Sequence, residues 1–123
     1  MGQPIGRRRW AIAEGYIPGR STGTGDMLSH EALCVLNAGD GDAHLAVTLF
    51  FAESEPAGPY RLEVPARRTR HFRFNDFPRP AIPRDTPYAS LIESDVPVVV
   101  QHTRLDSRQA ELALMSTIAY GEA

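Results

Sequence analysis

The sequence predicts an all-β protein, an antiparallel β-sandwich of about eight strands in a single domain, and three observations predict it. At 123 residues the chain is long enough to bury one hydrophobic core and too short for two. Its ten glycines and ten prolines divide it into short segments. Within these segments the apolar residues tend to recur at every second position, which is the period of a β-strand. Short strands separated by turns are typical of two antiparallel sheets packed face to face.

The first five strands follow one another closely, and each is bounded by turn chemistry. A loop rich in glycine, serine and threonine follows the first strand, and the sequences NAGDGD and ESEPAGP follow the second and third. Glycine, asparagine and aspartate tolerate the backbone angles of tight turns, so each of these segments ends a strand. The predicted strands are 9–14, 30–37, 44–52, 60–64 and 68–75.

The second half of the chain is more irregular. The proline-rich segment 76–87 predicts a crossover without regular structure, because proline cannot donate to a strand ladder. Strands are predicted at 88–93 and 98–104, with a break at 94–97. The last segment, 110–120, contains good helix formers, but Leu112, Leu114, Ile118 and Tyr120 share one parity. We therefore predict a strand there, with a helix as the alternative.

The composition argues against several classes of function. Because 13 basic side chains are balanced by 15 acidic ones, for a net charge of −2, we expect no general attraction to nucleic acid, and such binding needs a local basic patch. No apolar run approaches the roughly 20 residues that span a bilayer. The arginine-rich start is not followed by an apolar signal segment, so we expect a cytoplasmic protein that is not inserted in a membrane.

Cysteine, histidine and motif usage predict neither a metal site nor an enzyme. Cys34 is the only cysteine, and we expect it to be a small buried apolar residue. The four histidines have no spacing typical of metal ligands, so we expect no metal or cofactor. The sequence contains no GxSxG, HExxH or glycine-rich phosphate loop, and we expect no catalytic residues.

The segment 101–109, QHTRLDSRQ, is the first candidate site. If the strand continues to Asp106, then His102, Arg104 and Asp106 lie on one side of it, and Arg108 joins them after a turn. Arginines beside a carboxylate suit recognition of a polyhydroxylated or carboxylate ligand. Ion pairing at a contact between subunits is an equally weighted alternative.

Trp10 and Glu14, with Tyr16, His30 and Glu31, form the second candidate. An indole face beside carboxylates and a histidine is typical of a carbohydrate pocket, although a buried tryptophan is more often a core residue. Since His30 and Glu31 point to opposite sides of a strand, a ligand shared by these two is doubtful.

The third candidate is the arginine-rich strand ARRTRHFRF at 66–74. Arginines next to aromatic residues can bind phosphates and stack on bases, which suggests DNA or another anionic partner. The alternative is a solvated or ion-paired strand. The residues concerned are Arg67, Arg68, Arg70 and Arg73.

Four long stretches, 9–18, 29–40, 58–76 and 96–120, closely resemble the cytosolic sensory rhodopsin transducer family, and the resemblance covers nearly the whole chain. It implies an all-β sandwich subunit that assembles into a homotetramer. In this family the founding type is a soluble partner of a microbial rhodopsin and is reported to bind DNA, whereas relatives without a rhodopsin have been proposed to bind small molecules such as sugars. The family has no established catalytic motif, and this chain departs from the expected pattern mainly in the loop 19–28.

Two hypotheses follow from the residues and the resemblance. In the first, the protein is a tetrameric signalling module whose small-molecule site uses Trp10, Glu14, His102, Arg104, Asp106 and Arg108. In the second, it is a DNA-associated regulator that uses Arg67, Arg68, Arg70 and Arg73.

Overall fold

Within the part of the chain that the structure describes, eight antiparallel strands and two 3-10 helices of one turn each form the regular structure. The structure is a computed structural model that describes residues 5–111 and 113–123. The prediction of an all-β antiparallel fold is confirmed. The strands are β1 Arg7–Gly15, β2 His30–Asn37, β3 Ala43–Phe51, β4 Ala57–Val64, β5 Arg68–Arg73, β6 Tyr88–Asp106, β7 Ala113–Ile118 and β8 Tyr120–Glu122, and the 3-10 helices are Gly25–Met27 and Phe74–Asp76.

Two sheets share the long strand β6. The first sheet has the order β4-β3-β6-β1-β8, and in the second β6 pairs with β2 and β7 while β5 pairs with the free edge of β2. One hydrophobic cluster contains side chains from both sheets, including Leu33 and Val35 of β2 and Leu45 and Val47 of β3. Because these alternate positions are almost completely buried, the two sheets pack face to face in a sandwich-like arrangement.

The predicted break between strands 88–93 and 98–104 is wrong, because both belong to the 19-residue strand β6. The strand pairs with β3 as far as Ser94, opposite Leu45, and with β1 as far as Val98, opposite Arg7. It enters the second sheet at Val99, which pairs with Leu36. Pro97 lies in this crossing segment, where the described ladders of β6 include no pair that uses it. Its missing N–H therefore interrupts no ladder.

The strands predicted at 9–14, 44–52 and 60–64 begin one to three residues earlier in the structure, and two other predicted strands differ at their ends for a clear physical reason. The strand predicted at 68–75 ends at Arg73, because Phe74 turns into the core and packs against the rings of Phe77 and Tyr88. The strand predicted at 110–120 is β7 followed by β8, interrupted at Ala119, whose N–H donates to Val100 O at 3.0 Å. Strand rather than helix is thus confirmed there, while Leu112 lies outside the described residues.

The prediction that Cys34 is buried is wrong. It lies on the outer face of β2, opposite the core residues Leu33 and Val35, and is partly exposed. Its Sγ atom lies 3.9 Å from Thr103 Oγ1. The alternation of β2 therefore separates a core face from an outer face.

An exposed ion pair holds the crossing segment of β6 against β3. The backbone N–H of His44 donates to Asp95 Oδ1 at 2.8 Å, and His44 Nδ1 lies 2.8 Å from Asp95 Oδ2. Glu63 Oε2 lies 3.4 Å from His44 Nε2. The hydrogen bond to Asp95 and the charge of that carboxylate raise the pKa of His44. The backbone N–H of His44 is the main cause that lowers the pKa of Asp95.

This pair predicts a pH-dependent contribution to stability. The raised pKa of His44 means that its contribution is complete below its ordinary value of 6.5 and is lost as the pH rises through the raised value. The lowered pKa of Asp95 means that its contribution is present above 3.8 and is lost as the pH falls through the lowered value. The pair therefore stabilises the fold most between pH 3.8 and pH 6.5.

We expect His44→Gln to flatten the dependence of Tm on pH between about pH 6 and about pH 8. Over this range the Tm of the wild-type protein should fall relative to that of the variant, measured by differential scanning calorimetry. His71→Gln, which replaces an exposed histidine of β5, should retain the wild-type dependence. An identical pH profile for wild type and His44→Gln would contradict this role of His44.

Candidate functional site

A fully buried carboxylate, that of Glu31, lies at the centre of the candidate site. It stands on the core face of β2, opposite Arg104 of β6 in the ladder. Its Oε1 accepts hydrogen bonds from the Tyr88 hydroxyl at 3.0 Å and from His102 Nε2 at 2.8 Å. Its Oε2 accepts hydrogen bonds from Arg104 Nε at 2.7 Å and from the Tyr16 backbone N–H at 2.6 Å. Four donors therefore satisfy both oxygens.

These donors keep the buried carboxyl group ionised. Burial alone raises the pKa of Glu31, but the hydrogen bonds from His102 and Tyr16 and the charge of Arg104 outweigh it, and the net pKa lies below its usual value. Because the carboxylate can only accept, His102 Nε2 carries a proton. Burial and the negative charge of Glu31 raise the pKa of the Tyr88 hydroxyl far above its usual range, so this hydroxyl stays a donor.

Arg104 connects the buried carboxylate to the surface. Its Nη1 lies 3.2 Å from Glu14 Oε1, a carboxylate of β1 whose side chain is 76% exposed. Its Nη2 is buried and has no hydrogen-bond partner among the described residues. A buried guanidinium nitrogen without an acceptor is costly. This atom is the one unsatisfied donor of the network just described, and an added acceptor beside it would be stabilising.

A cleft of about 320 Å³ opens beside Arg104 at the ends of β1 and β6. Asp106 and Arg108 form one wall, where Arg108 Nε and Nη2 bind the Asp106 carboxylate at 3.0 and 2.6 Å. The hydrogen bond from Arg108 is the main cause that lowers the pKa of Asp106. The Arg108 guanidinium lies 5.8 Å from the centre of the Tyr16 ring. The cleft is lined by Glu14, Gly15, Tyr16, Pro18, Pro87, Arg104, Asp106 and Arg108.

A second depression, of about 440 Å³, continues from the cleft and shares Asp106 and Arg108 with it. Arg20 lines this depression. The loop that contains Arg20 is attached here, since Thr22 Oγ1 donates to Ser107 O at 2.9 Å. The loop 19–28 therefore lies next to the cleft.

The structure brings four of the six predicted ligand residues into one cleft: Glu14, Arg104, Asp106 and Arg108. His102 lies behind them, bound to Glu31, and borders a separate groove next to β7. Trp10 is in the core, 6% exposed, where its indole N–H is shared between Arg7 O and Val98 O at 3.0 Å each. A structural role explains this position of Trp10, and the ligand-binding role of all six residues stays a prediction.

The arginine-rich strand lies elsewhere, at the edge formed by β5. Arg67 Nη1 lies 3.2 Å from Asp40 Oδ1, and Arg73 Nη2 lies 3.5 Å from Asp26 Oδ1. Arg68 and Arg70 are exposed on the face of β5 that carries Phe72. Carboxylates thus accompany two of the four arginines, and the role of this strand in binding DNA stays a prediction.

Sequence reasoning missed the central role of Glu31, although it considered this residue, and did not identify Tyr88 or Asp85. The available signal was parity, because Glu31 shares the side of β2 that carries Leu33 and Val35. A carboxylate on the core face of a strand indicates a buried partner. Asp85, which accepts from the Tyr16 hydroxyl at 3.3 Å and from the Gly19 N–H at 3.0 Å, comes from the irregular crossover and had no such signal.

The described residues also bear on metal binding and on membrane insertion. Within 5–111 and 113–123, no group of three or more histidine, cysteine, aspartate or glutamate side chains converges to hold a metal ion. In the same part of the chain, no helix has the length and hydrophobicity required to cross a lipid bilayer.

Comparisons with known proteins agree with this fold. A family model described as Anabaena sensory rhodopsin transducer matches residues 5–121. The crystal structure of Thermotoga maritima 1070 is similar with a TM-score of 0.85 and 38% sequence identity, over 95% of this chain and 96% of that chain. The structure of the Anabaena sensory rhodopsin transducer is similar with a TM-score of 0.73 and 59% identity, over 80% of this chain and 98% of that chain. No curated protein matches the chain significantly.

The network predicts very different costs for two carboxylates that both bind Arg104. Glu31→Gln removes a fully buried charge and leaves donors of His102, Tyr88 or Arg104 without an acceptor, so we expect a loss of about 3 kcal/mol in the free energy of unfolding. Glu14→Gln removes an exposed partner and should cost at most about 1 kcal/mol. Urea unfolding of both variants measures the difference. Equal losses would contradict the assignment of Glu31 as the centre of the network.

Proposed function

Because the chain belongs to the Anabaena sensory rhodopsin transducer family, we propose that it is a signalling module that binds a small polyhydroxylated molecule in the cleft beside Arg104. Occupancy of this cleft is communicated to partner proteins, and the proposed role involves no catalysis. The observation that carries the proposal is the cleft itself, in which the Arg104 guanidinium, held by Glu31 and Glu14, lies among the carboxylates of Glu14 and Asp106 and the guanidinium of Arg108.

The chemistry of the cleft suits hydroxyl groups. The Arg104 guanidinium supplies donors, while the carboxylates of Glu14 and Asp106 supply acceptors. Pro18 and Pro87 supply apolar surface on the same walls. Alternating donors, acceptors and apolar patches match a ligand that carries hydroxyls on a carbon ring or chain. The volume of about 320 Å³ corresponds to a small molecule rather than to a polymer.

Transmission of a signal from the cleft to a partner surface depends on the strands that Glu31 connects. A ligand oxygen bound to Arg104 acts on a guanidinium that is tied to β1 through Glu14 and to β2 through Glu31. The same carboxylate holds His102, which borders the groove next to β7. A change at the cleft therefore reaches β1 through an ion pair and reaches β2 and His102 of β6 through hydrogen bonds, which is a contiguous network of the kind that can couple two surfaces.

The partner class follows from the family description. A transducer of a sensory rhodopsin receives a signal from a membrane photoreceptor, and a rhodopsin is accordingly one proposed partner of this chain. A cytoplasmic location follows from the same proposal. The exposed arginines of β5, Arg68 and Arg70, are a second proposed contact surface, for DNA or another polyanion.

We expect one or more monosaccharides or polyols to raise the Tm in a thermal-shift screen. A ligand that binds only the folded state at about 100 times its Kd adds about 2.7 kcal/mol to the free energy of unfolding. Glu14→Gln should weaken the binding of the ligand found by about tenfold, because it removes one charged acceptor from the cleft.

The matched control is Glu93→Gln, another exposed carboxylate of the same sheet that lies outside the cleft. This variant should bind as the wild type does. A screen in which none of these compound classes changes the Tm, or equal binding by wild type and Glu14→Gln, would overturn the ligand proposal.

A homotetramer is the proposed assembly, and the C-terminal strands supply the surface for it. All described residues of β7 are exposed, and the described ladders pair β7 only with β6. Leu114 is 71% exposed, Ile118 61% and Tyr120 69%. Large apolar side chains concentrated on an edge strand are typical of a surface that another chain covers.

We expect the double variant Leu114→Asp and Ile118→Asp to sediment as a smaller species than the wild type, which should have four times the mass of one chain. The added charges make burial of this surface against a second copy unfavourable. Met27→Asp, at an exposed apolar residue in the loop after β1, should leave the tetramer intact. A wild-type monomer at micromolar concentration in analytical ultracentrifugation would contradict the assembly.

A further inference from the structure

A groove of about 460 Å³ lies between the turn that joins β3 to β4 and the proline-rich crossover before β6. No residue that lines this groove also lines the cleft beside Arg104. One side is formed by residues of the β3–β4 turn and the other by residues of the crossover. Its apolar surface and its charge come from Phe51, Glu55, Pro56, Tyr60, Pro80 and Pro83.

The walls of this groove are held in place by buried contacts. The Tyr60 hydroxyl donates to Pro80 O, which joins the two sides, and the Tyr60 ring packs 4.8 Å from the ring of Phe77. Ile82, between two residues that line the groove, is 2% exposed and anchors the crossover in the core. A surface of this kind requires little ordering when a ligand binds, and this favours affinity.

The chemistry of the walls selects the kind of ligand. Three of the lining residues are prolines, which lack an N–H, so this surface is poorly suited to binding anions or to pairing with an added strand. Aromatic and proline side chains form flat apolar surfaces, which are the surfaces that polyproline II segments contact. Among the described lining residues, Glu55 alone carries a formal charge at neutral pH, and Glu53 lies two positions before it in the same turn. The negative charge is complementary to a basic side chain.

We propose that this groove binds an extended, proline-containing segment of a partner protein, with a basic residue of that segment placed against Glu55. The interaction is independent of the cleft beside Arg104. A segment in the polyproline II conformation has no internal hydrogen bonds to break and little conformational entropy to lose. Charge complementarity at Glu55 sets the orientation of the segment along the groove.

The test uses a short synthetic peptide with prolines in a Pro-x-x-Pro arrangement and one terminal arginine, titrated into the isotopically labelled full chain. We expect chemical-shift changes concentrated in the β3–β4 turn and in the crossover. Ala81→Trp, which fills the groove from an exposed position, should weaken the binding at least about tenfold. Ala38→Trp, in the exposed turn after β2, is the matched control and should bind as the wild type does.

A charge exchange tests the orientation. Glu55→Lys should weaken binding of the arginine peptide and strengthen binding of the same peptide with glutamate in place of arginine. The proposal is overturned by absence of binding at millimolar peptide, by equal binding of a peptide with alanine in place of its prolines, or by equal binding to Ala81→Trp. Binding of phenethylammonium with the affinity of the peptide would assign the groove to small organic cations, and this too would overturn the proposal.

Discussion

The carboxylate of Glu31 accepts hydrogen bonds from both halves of the strand that the two sheets share. Tyr88 lies at the start of β6 in the first sheet, while His102 and Arg104 lie near its end in the second. A buried ion is costly unless its partners replace the water that it loses, and here four donors do so. The position of each donor is therefore constrained by the others, and the position of the cleft depends on them.

Because of this constraint, the cleft at the surface lies beside a rigid network of buried hydrogen bonds. Arg104 has one side held by Glu31 and another by Glu14, so the remaining nitrogen has a fixed position. A donor that is already oriented loses little entropy when a ligand binds. The ion pair between Asp106 and Arg108 lines the same cleft. Most of the charge in the cleft is thus neutralised internally, and this favours neutral polar ligands over strongly charged ones.

The cleft and the proposed assembly surface adjoin each other. Arg104 pairs with Met115 of β7 in the ladder, and Asp106 pairs with Ala113. A second chain that covers β7 therefore lies one strand away from the guanidinium that a ligand would contact. In such an arrangement ligand binding and subunit contacts influence each other through the same strand, and the coupling is reciprocal by thermodynamic necessity. The proline-lined groove, formed by the turn between β3 and β4 and by the crossover, shares no residue with the cleft, so the two proposed binding surfaces are distinct.

The period of two, the turn residues and the resemblance to a family were enough to predict the class of fold and most strands, because alternation in one segment depends only on which face of that segment is buried. The same alternation placed His102, Arg104 and Asp106 on one side of a strand. What it left open was contact between distant segments. Pro97 indicates a strand end in the sequence, whereas in the structure it lies where β6 passes between the sheets. Parity places Glu31 on the core side of β2, but it does not show that four donors, from 15 to 73 residues away, meet the carboxylate there. Trp10 lies in the core and not in the cleft, because the packing of the two sheets decides which faces meet. No local sequence pattern encodes this packing.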